Sequence, residues 1–94
     1  MSARPIVHAK EVRDDGAIVE IVVWRLPEPL RPCTHSYKYR LYFGANGICY
    51  VRYDNELGKG DHRHLPGTEL PYQFVSLAQL LDDFQRDVET WGKP

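Results

Sequence analysis

Hydrophobic and polar positions alternate most cleanly between Ser36 and Asp54. Over 36–43, Tyr37, Tyr39, Leu41 and Phe43 share one side, while Lys38, Arg40 and Tyr42 share the other. Over 48–54, Ile48, Tyr50, Arg52 and Asp54 alternate with Cys49, Val51 and Tyr53. A period of two marks a half-buried strand, and Gly44-Ala45-Asn46-Gly47 supplies a turn, so a hairpin is predicted here. An earlier pair, 6–13 and 17–26, flanks Asp14-Asp15-Gly16, where Asp-Gly provides the positive φ of a type I′ turn or a G1 bulge. Residues 17–26 are so rich in β-branched side chains that they read as a nearly continuous apolar strand, central and partly buried on both faces. The period then changes. Leu77, Leu80, Leu81, Phe84, Val88 and Trp91 recur at helical spacing and predict an amphipathic helix over 77–91. Ser76 with Gln79 forms a capping box and Val75 with Leu80 a staple, while Gly92 and Pro94 supply a stop. Asp82, Asp83, Asp87 and Glu89 fall off the apolar stripe and are expected in solvent. Residues 27–35, with three prolines, are a surface connection ending in an ordinary loop histidine, His35. Residues 55–71 show no sustained period and read as a polar loop. The expected architecture is one α+β domain over 1–94. Two antiparallel β-hairpins form one sheet, and a C-terminal amphipathic helix packs on it.

Composition adds limits. A chain of 94 residues that is 43% hydrophobic and 27% charged can bury a core as one soluble domain. No apolar run is long enough to cross a bilayer, and the first residues lack a secretory h-region. The expected location is cytoplasmic, with Cys33 and Cys49 as reduced thiols and no cofactor. Net charge is −1, which argues against a strongly basic nucleic-acid binder, yet the distribution is uneven. Residues 31–67 carry six basic and three acidic side chains, whereas 68–94 carry two and five. A local phosphate site on a nearly neutral body fits that polarity.

The candidate chemistry sits in Arg52-Tyr-Asp-Asn-Glu-Leu-Gly-Lys-Gly-Asp-His-Arg-His64. Gly58 and Gly60 permit positive φ and close approach to a ligand. His62 and His64, two apart, point to one side if the segment is extended. Two mechanisms can use these groups. In the first, His62 and His64 act as general base and acid on RNA, Lys59, Arg63 or Arg52 stabilises charge on phosphorus, and Asp54 or Asp61 orients an imidazole. Tyr53 or Lys59 completes the pair if one histidine only binds phosphate, and Lys38, Arg40, Arg63 and Tyr53 are the expected substrate-binding residues. This version needs no metal, because the 2′-hydroxyl is an internal nucleophile, and it is the one favoured. In the second, Asp61, His62, His64 and Asp54 hold a divalent ion that activates water, although Arg63 and Lys59 nearby repel a cation. Gly58-Lys-Gly60 lacks the residues of a nucleotide-binding P-loop. On the second hairpin, Lys38, Arg40 and Arg52 among tyrosines suit single-stranded RNA, where cations meet phosphates and rings stack on bases.

The series Asp15-Gly16, Ile21-Val-Val-Trp-Arg-Leu-Pro27, Tyr37-Lys-Tyr-Arg-Leu41, Arg52-Tyr-Asp-Asn55, Gly58-Lys-Gly-Asp-His-Arg-His64 and Phe74-Val-Ser-Leu77, with the terminal helix, resembles the TumE family of toxin–antitoxin proteins. The resemblance runs over roughly residues 8–91 and is most specific at the Arg52–His64 motif. It implies a prokaryotic toxin encoded beside a cognate antitoxin that often carries a helix-turn-helix domain. It carries over no set of active residues. By analogy with small toxins that cut RNA, a metal-independent ribonuclease is the leading expectation. The alternatives are a module that acts by occupying a nucleic acid or protein, and a degenerate partner that mainly binds its antitoxin. An open strand edge also leaves a homodimer available.

Overall fold

The computed structural model describes residues 2–91, so the expected helix stop at Gly92 and Pro94 lies outside the described residues. Six strands pair in chain order as one antiparallel sheet: β1 Arg4–Val12, β2 Ile18–Arg25, β3 Tyr37–Ala45, β4 Ile48–Glu56, β5 Gly60–Leu65 and β6 Thr68–Pro71. One helix, α1 Leu77–Trp91, follows and packs across β4. The α+β class and both expected hairpins are therefore present.

The turns follow from their residues. Gly16 N–H bonds to the Arg13 carbonyl at 2.9 Å and Gly16 has φ 85°, which makes the first connection a type I turn with a G1 bulge. Asn46 and Gly47 both take positive φ and join Ala45 to its partner Ile48 in a two-residue loop. That is the primed turn whose twist matches the flanking strands.

The segment 55–71, expected as a loop, instead continues the sheet. Glu56 pairs with Gly60 and Leu65 with Thr68, so β4–β5 and β5–β6 form the fourth and fifth ladders of the sheet. Gly58, at φ 83°, turns the chain after β4, and Pro66-Gly67, with Gly67 at φ 78°, turns it after β5. The hydrophobic pattern is silent here because neither face of β5 needs to be apolar. One face carries His62 and His64, and the other sets Arg63 against an acidic helix.

The core lies between the sheet and α1. Val23, Tyr39, Leu41, Phe43, Val51 and Tyr53 project to one face and meet Leu80, Phe84 and Val88, spaced four apart on the helix. At about 25 cal/mol per Å2, each such side chain contributes roughly 1.5–3 kcal/mol on burial. β2 is not the central strand that its apolar density suggested. It lies second from the edge, and on its outer face Trp24 remains 39% exposed. The Ser76 hydroxyl caps Gln79 N–H at 3.1 Å, but the Gln79 side chain turns forward to Asp83 rather than back to the cap. Val75 stays 71% exposed, so it does not act as a staple.

Where the β3–β4 ladder ends, Asn55 takes its place. Its side-chain oxygen accepts the Tyr39 N–H at 3.0 Å and its amide donates to the Tyr37 carbonyl at 2.6 Å. Lys38 Nζ also donates to the Asn55 carbonyl. This side chain therefore fixes the strand just after Asp54, and with it one corner of the polar face.

Candidate functional site

The helix leaves one face of the sheet uncovered, and the register writes two polar rows across it. Glu20, Tyr42, Arg52, His64 and Glu69 lie directly opposite one another on β2 to β6. In the next row, Val22, Arg40, Asp54, His62 and Pro71 do the same. Side chains facing across neighbouring strands touch, so residues far apart in sequence become one cluster. The expectation that His62 and His64 share a side is realised by their places in β5.

Their ring centroids are 5.7 Å apart. Glu69 spans the pair, with Oε1 2.9 Å from His62 Nδ1 and Oε2 3.5 Å from His64 Nδ1. Arg52 Nη2 lies 3.0 Å from His64 Nε2. A guanidinium can only donate, so this nitrogen is the acceptor and the proton of neutral His64 resides on Nδ1. Burial first, and the Arg52 charge second, lower the pKa of His64 below the ordinary histidine value. Arg52 Nε also stands 3.3 Å from Asp54 Oδ2. Lys59 Nζ pairs with Glu69 Oε1 at 3.0 Å, which raises the lysine pKa and lowers that of the carboxyl. His62 is 4% exposed and Asp54 8%, whereas Lys59 and Glu69 form an accessible rim. A shallow depression of about 250 Å3, lined by Lys59, His62, Glu69 and Pro71 among others, leads to the cluster. A larger one, of about 560 Å3, lies over Leu26–Leu30, where Glu28 is the sole ionisable lining residue among the described residues, and it meets none of this chemistry.

A family model described as Toxin TumE matches residues 2–92. The chain belongs to the TumE toxin family. Membership supplies a function at the level of the cell, a toxin with a cognate antitoxin as partner. No curated protein and no solved structure matches the chain. Among the described residues, no helix is long and apolar enough to cross a membrane.

On this TumE-family sheet the expected site residues divide between two faces. His62, His64, Arg52, Lys59 and Asp54 come together on the open face. Lys38 and Arg40 share that face, Arg40 near Glu20 at 3.4 Å and over the Tyr42 ring. Arg63 and Tyr53, expected to bind substrate, face the helix instead. Arg63 Nε lies 2.9 Å from Asp87 Oδ2, and the Tyr53 hydroxyl donates to the same oxygen at 2.5 Å. Burial and that carboxylate push the Tyr53 pKa far up. Both residues therefore anchor α1 to the sheet, and Asp87 is a structural partner rather than a solvated charge. Asp83 likewise accepts from the Tyr72 hydroxyl at 2.6 Å.

Asp61 does orient a histidine, but it is His35. His35 Nε2 lies 2.7 Å from Asp61 Oδ1, Tyr39 donates to the same oxygen, and Phe74 stacks on the imidazole at 3.8 Å. His35 Nδ1 accepts the Tyr37 N–H at 3.2 Å. The loop histidine is thus a packed clasp on the helix side, holding the proline-rich connection. Gly58 N–H meets the Arg31 carbonyl at 2.7 Å, and a Cβ on Gly60 would press within 3.2 Å of Pro32. The two glycines therefore seat the same connection rather than a ligand. Glu69 is the residue that sequence reasoning missed at the open face. Its one signal is an acidic residue two positions after Pro66-Gly67, which becomes visible only once that turn is read as a hairpin.

Proposed function

We propose that this toxin acts on RNA and that the uncovered sheet face cleaves the phosphodiester without a metal. The observation carrying the reading is the imidazole pair at 5.7 Å with the Arg52 guanidinium against one member. Internal transesterification of RNA needs a base for the 2′-hydroxyl, an acid for the leaving 5′ oxygen and positive charge beside phosphorus. His64 serves as base, because its Nε2 holds a lone pair and its lowered pKa keeps it unprotonated at neutral pH. His62, between the Glu69 and Asp54 carboxylates, serves as acid. Arg52 releases His64 and takes a phosphate oxygen, with Lys59 as a second cation at the rim. Lys38 and Arg40 bind the flanking backbone, and Tyr42 and Trp24 on the same face offer stacking surfaces. A cytoplasmic antitoxin with a helix-turn-helix domain would silence the toxin by covering this face.

The test is incubation of purified protein with RNA in the presence of chelator. Cleavage leaving 2′,3′-cyclic phosphate ends is expected, and it should vanish, together with growth inhibition, in His62→Ala and His64→Ala. Undiminished cleavage and toxicity in both variants would remove the reading. Salt-sensitive RNA binding without cleavage would instead favour a toxin that works by occupancy, a reading that the exposed cations Arg40 and Lys59 on this face also support.

A further inference from the structure

We propose that Asp54, His62 and His64 form a binding site for one divalent transition metal ion, of which zinc is the type, and that its occupancy holds the histidine pair inactive. The binding half stands by itself, while the inactivating half rests on the RNA-cleaving reading above.

The site is recognisable from behind. Glu69 faces the Nδ1 atoms of both rings, at 2.9 and 3.5 Å, so in the neutral form each ring keeps its proton there and turns the Nε2 lone pair inward. Both Nε2 atoms then face one oxygen, Asp54 Oδ1, at 3.9 Å from His62 and 3.8 Å from His64. These separations are too long for hydrogen bonds. All three atoms lie within 4.8 Å of one another. Asp54 Oδ1 and His62 Nε2 are buried with no hydrogen-bond partner among the described residues. Three lone-pair atoms converging on a buried point repel one another unless something positive sits between them.

Imidazoles that ligate metal are held in this way, with a carboxylate accepting from the ring nitrogen remote from the ion. Two imidazoles and one carboxylate with an open fourth position suit zinc and its neighbours. Tetrahedral donors about 2.1 Å from zinc lie about 3.4 Å apart, so the two edges to Asp54 Oδ1 need to contract by roughly 0.5 Å and the edge between the imidazole nitrogens, within 4.8 Å, by at most about 1.4 Å. Arg52 is the obstacle, since its Nη2 holds His64 Nε2 at 3.0 Å. Its side chain is one-third exposed and can swing out to solvent, after which the Asp54 and Glu69 carboxylates balance the incoming charge. Asp61 is no ligand here, because it faces the helix side. The other grouping, Cys33 with His35 and Asp61, already has both ring nitrogens of its histidine hydrogen-bonded. A metal on the open-face triangle takes up both Nε2 lone pairs and displaces Arg52, which removes the base, the acid and the nearest cation together.

The experiment is titration of chelator-treated full-length protein with zinc chloride by calorimetry, and with cobalt(II) by visible absorption. One ion per chain is expected, with the intense bands of tetrahedral cobalt, and with proton release as the pH falls below neutrality. His64→Asn, its fold checked by circular dichroism, should lose the bands. Glu69→Gln should weaken binding about 10–100-fold while leaving all three ligands in place. Absence of stoichiometric binding, or binding unchanged in both variants, overturns the site. Cleavage of RNA that zinc abolishes and chelator restores supports the switch, whereas cleavage that requires zinc keeps the site and overturns the switch. If zinc binds as expected but RNA is never cut, the site stands and the cleavage reading fails.

Discussion

Asn55→Ala removes the side chain that closes the gap between β3 and β4. In the native chain Asn55 is fully buried and bonds both the Tyr39 N–H and the Tyr37 carbonyl. Alanine leaves these two main-chain groups without partners, the Tyr39 N–H in a buried place and the Tyr37 carbonyl in a part-buried one. A buried polar group stranded in this way costs about 1–3 kcal/mol, so the pair should cost roughly 2–6 kcal/mol, with about 4 as the middle value. A domain of this size has about 5–14 kcal/mol to lose, which makes one amide worth a large share of the total. Urea unfolding followed by tryptophan fluorescence is the assay. With a slope near 2 kcal/mol per molar, the midpoint should fall by roughly 2 M at unchanged slope. Asn55→Asp is the control that isolates the donor. It keeps an acceptor for Tyr39 but sets negative charge against the Tyr37 carbonyl, and it should cost at least as much. A loss under about 1 kcal/mol in Asn55→Ala would refute the reasoning, because it would mean that the ladder closes without the amide.

Two further outcomes follow from the division of the sheet into faces. Arg63→Ala breaks the contact with Asp87 and should lower stability by about 1–3 kcal/mol, yet leave RNA affinity at matched folded fraction unchanged, whereas Arg40→Ala should weaken RNA binding and leave stability nearly untouched; affinity lost in Arg63→Ala would return that residue to the binding surface. His64 supplies a pH test: its folded pKa lies below the unfolded value near 6.5, so its contribution is fully present above that pH and is lost as pH falls through the folded value. Thermal melts from pH 8 to 5 should show that loss shrinking in His64→Phe, and Arg52→Met should raise the His64 titration midpoint seen by NMR; a midpoint that falls would show that Arg52 does not act on the ring through its charge.

Much of the fold could be read from local pattern, for local reasons. Asp15-Gly16 and Asn46-Gly47 have few backbone options, and the alternation of Tyr37 to Phe43 could only place one side inward. The helix announced itself because Leu80, Phe84 and Val88 repeat every turn. What stayed hidden was set by partners distant in sequence. β5 looks like a loop because Arg63 needs Asp87, 24 positions away, before its inward charge makes sense. His35 looks ordinary until Asp61, 26 positions away, arrives beside it. Of the candidate site, the alternation of His62 with His64 was legible, but the role of Glu69 was not, since it depends on the β5–β6 register.

A cluster laid transversely across strands has a consequence for the nascent chain. Glu69 belongs to β6, which is synthesised after β5, and both Nδ1 atoms lack their carboxylate until β6 zips onto its neighbour. A chain cut after Leu65 would keep every basic side chain of the motif and still lack the carboxylate that braces both Nδ1 atoms. The paired imidazoles therefore take up their braced geometry only after β6 has been made and has docked on β5.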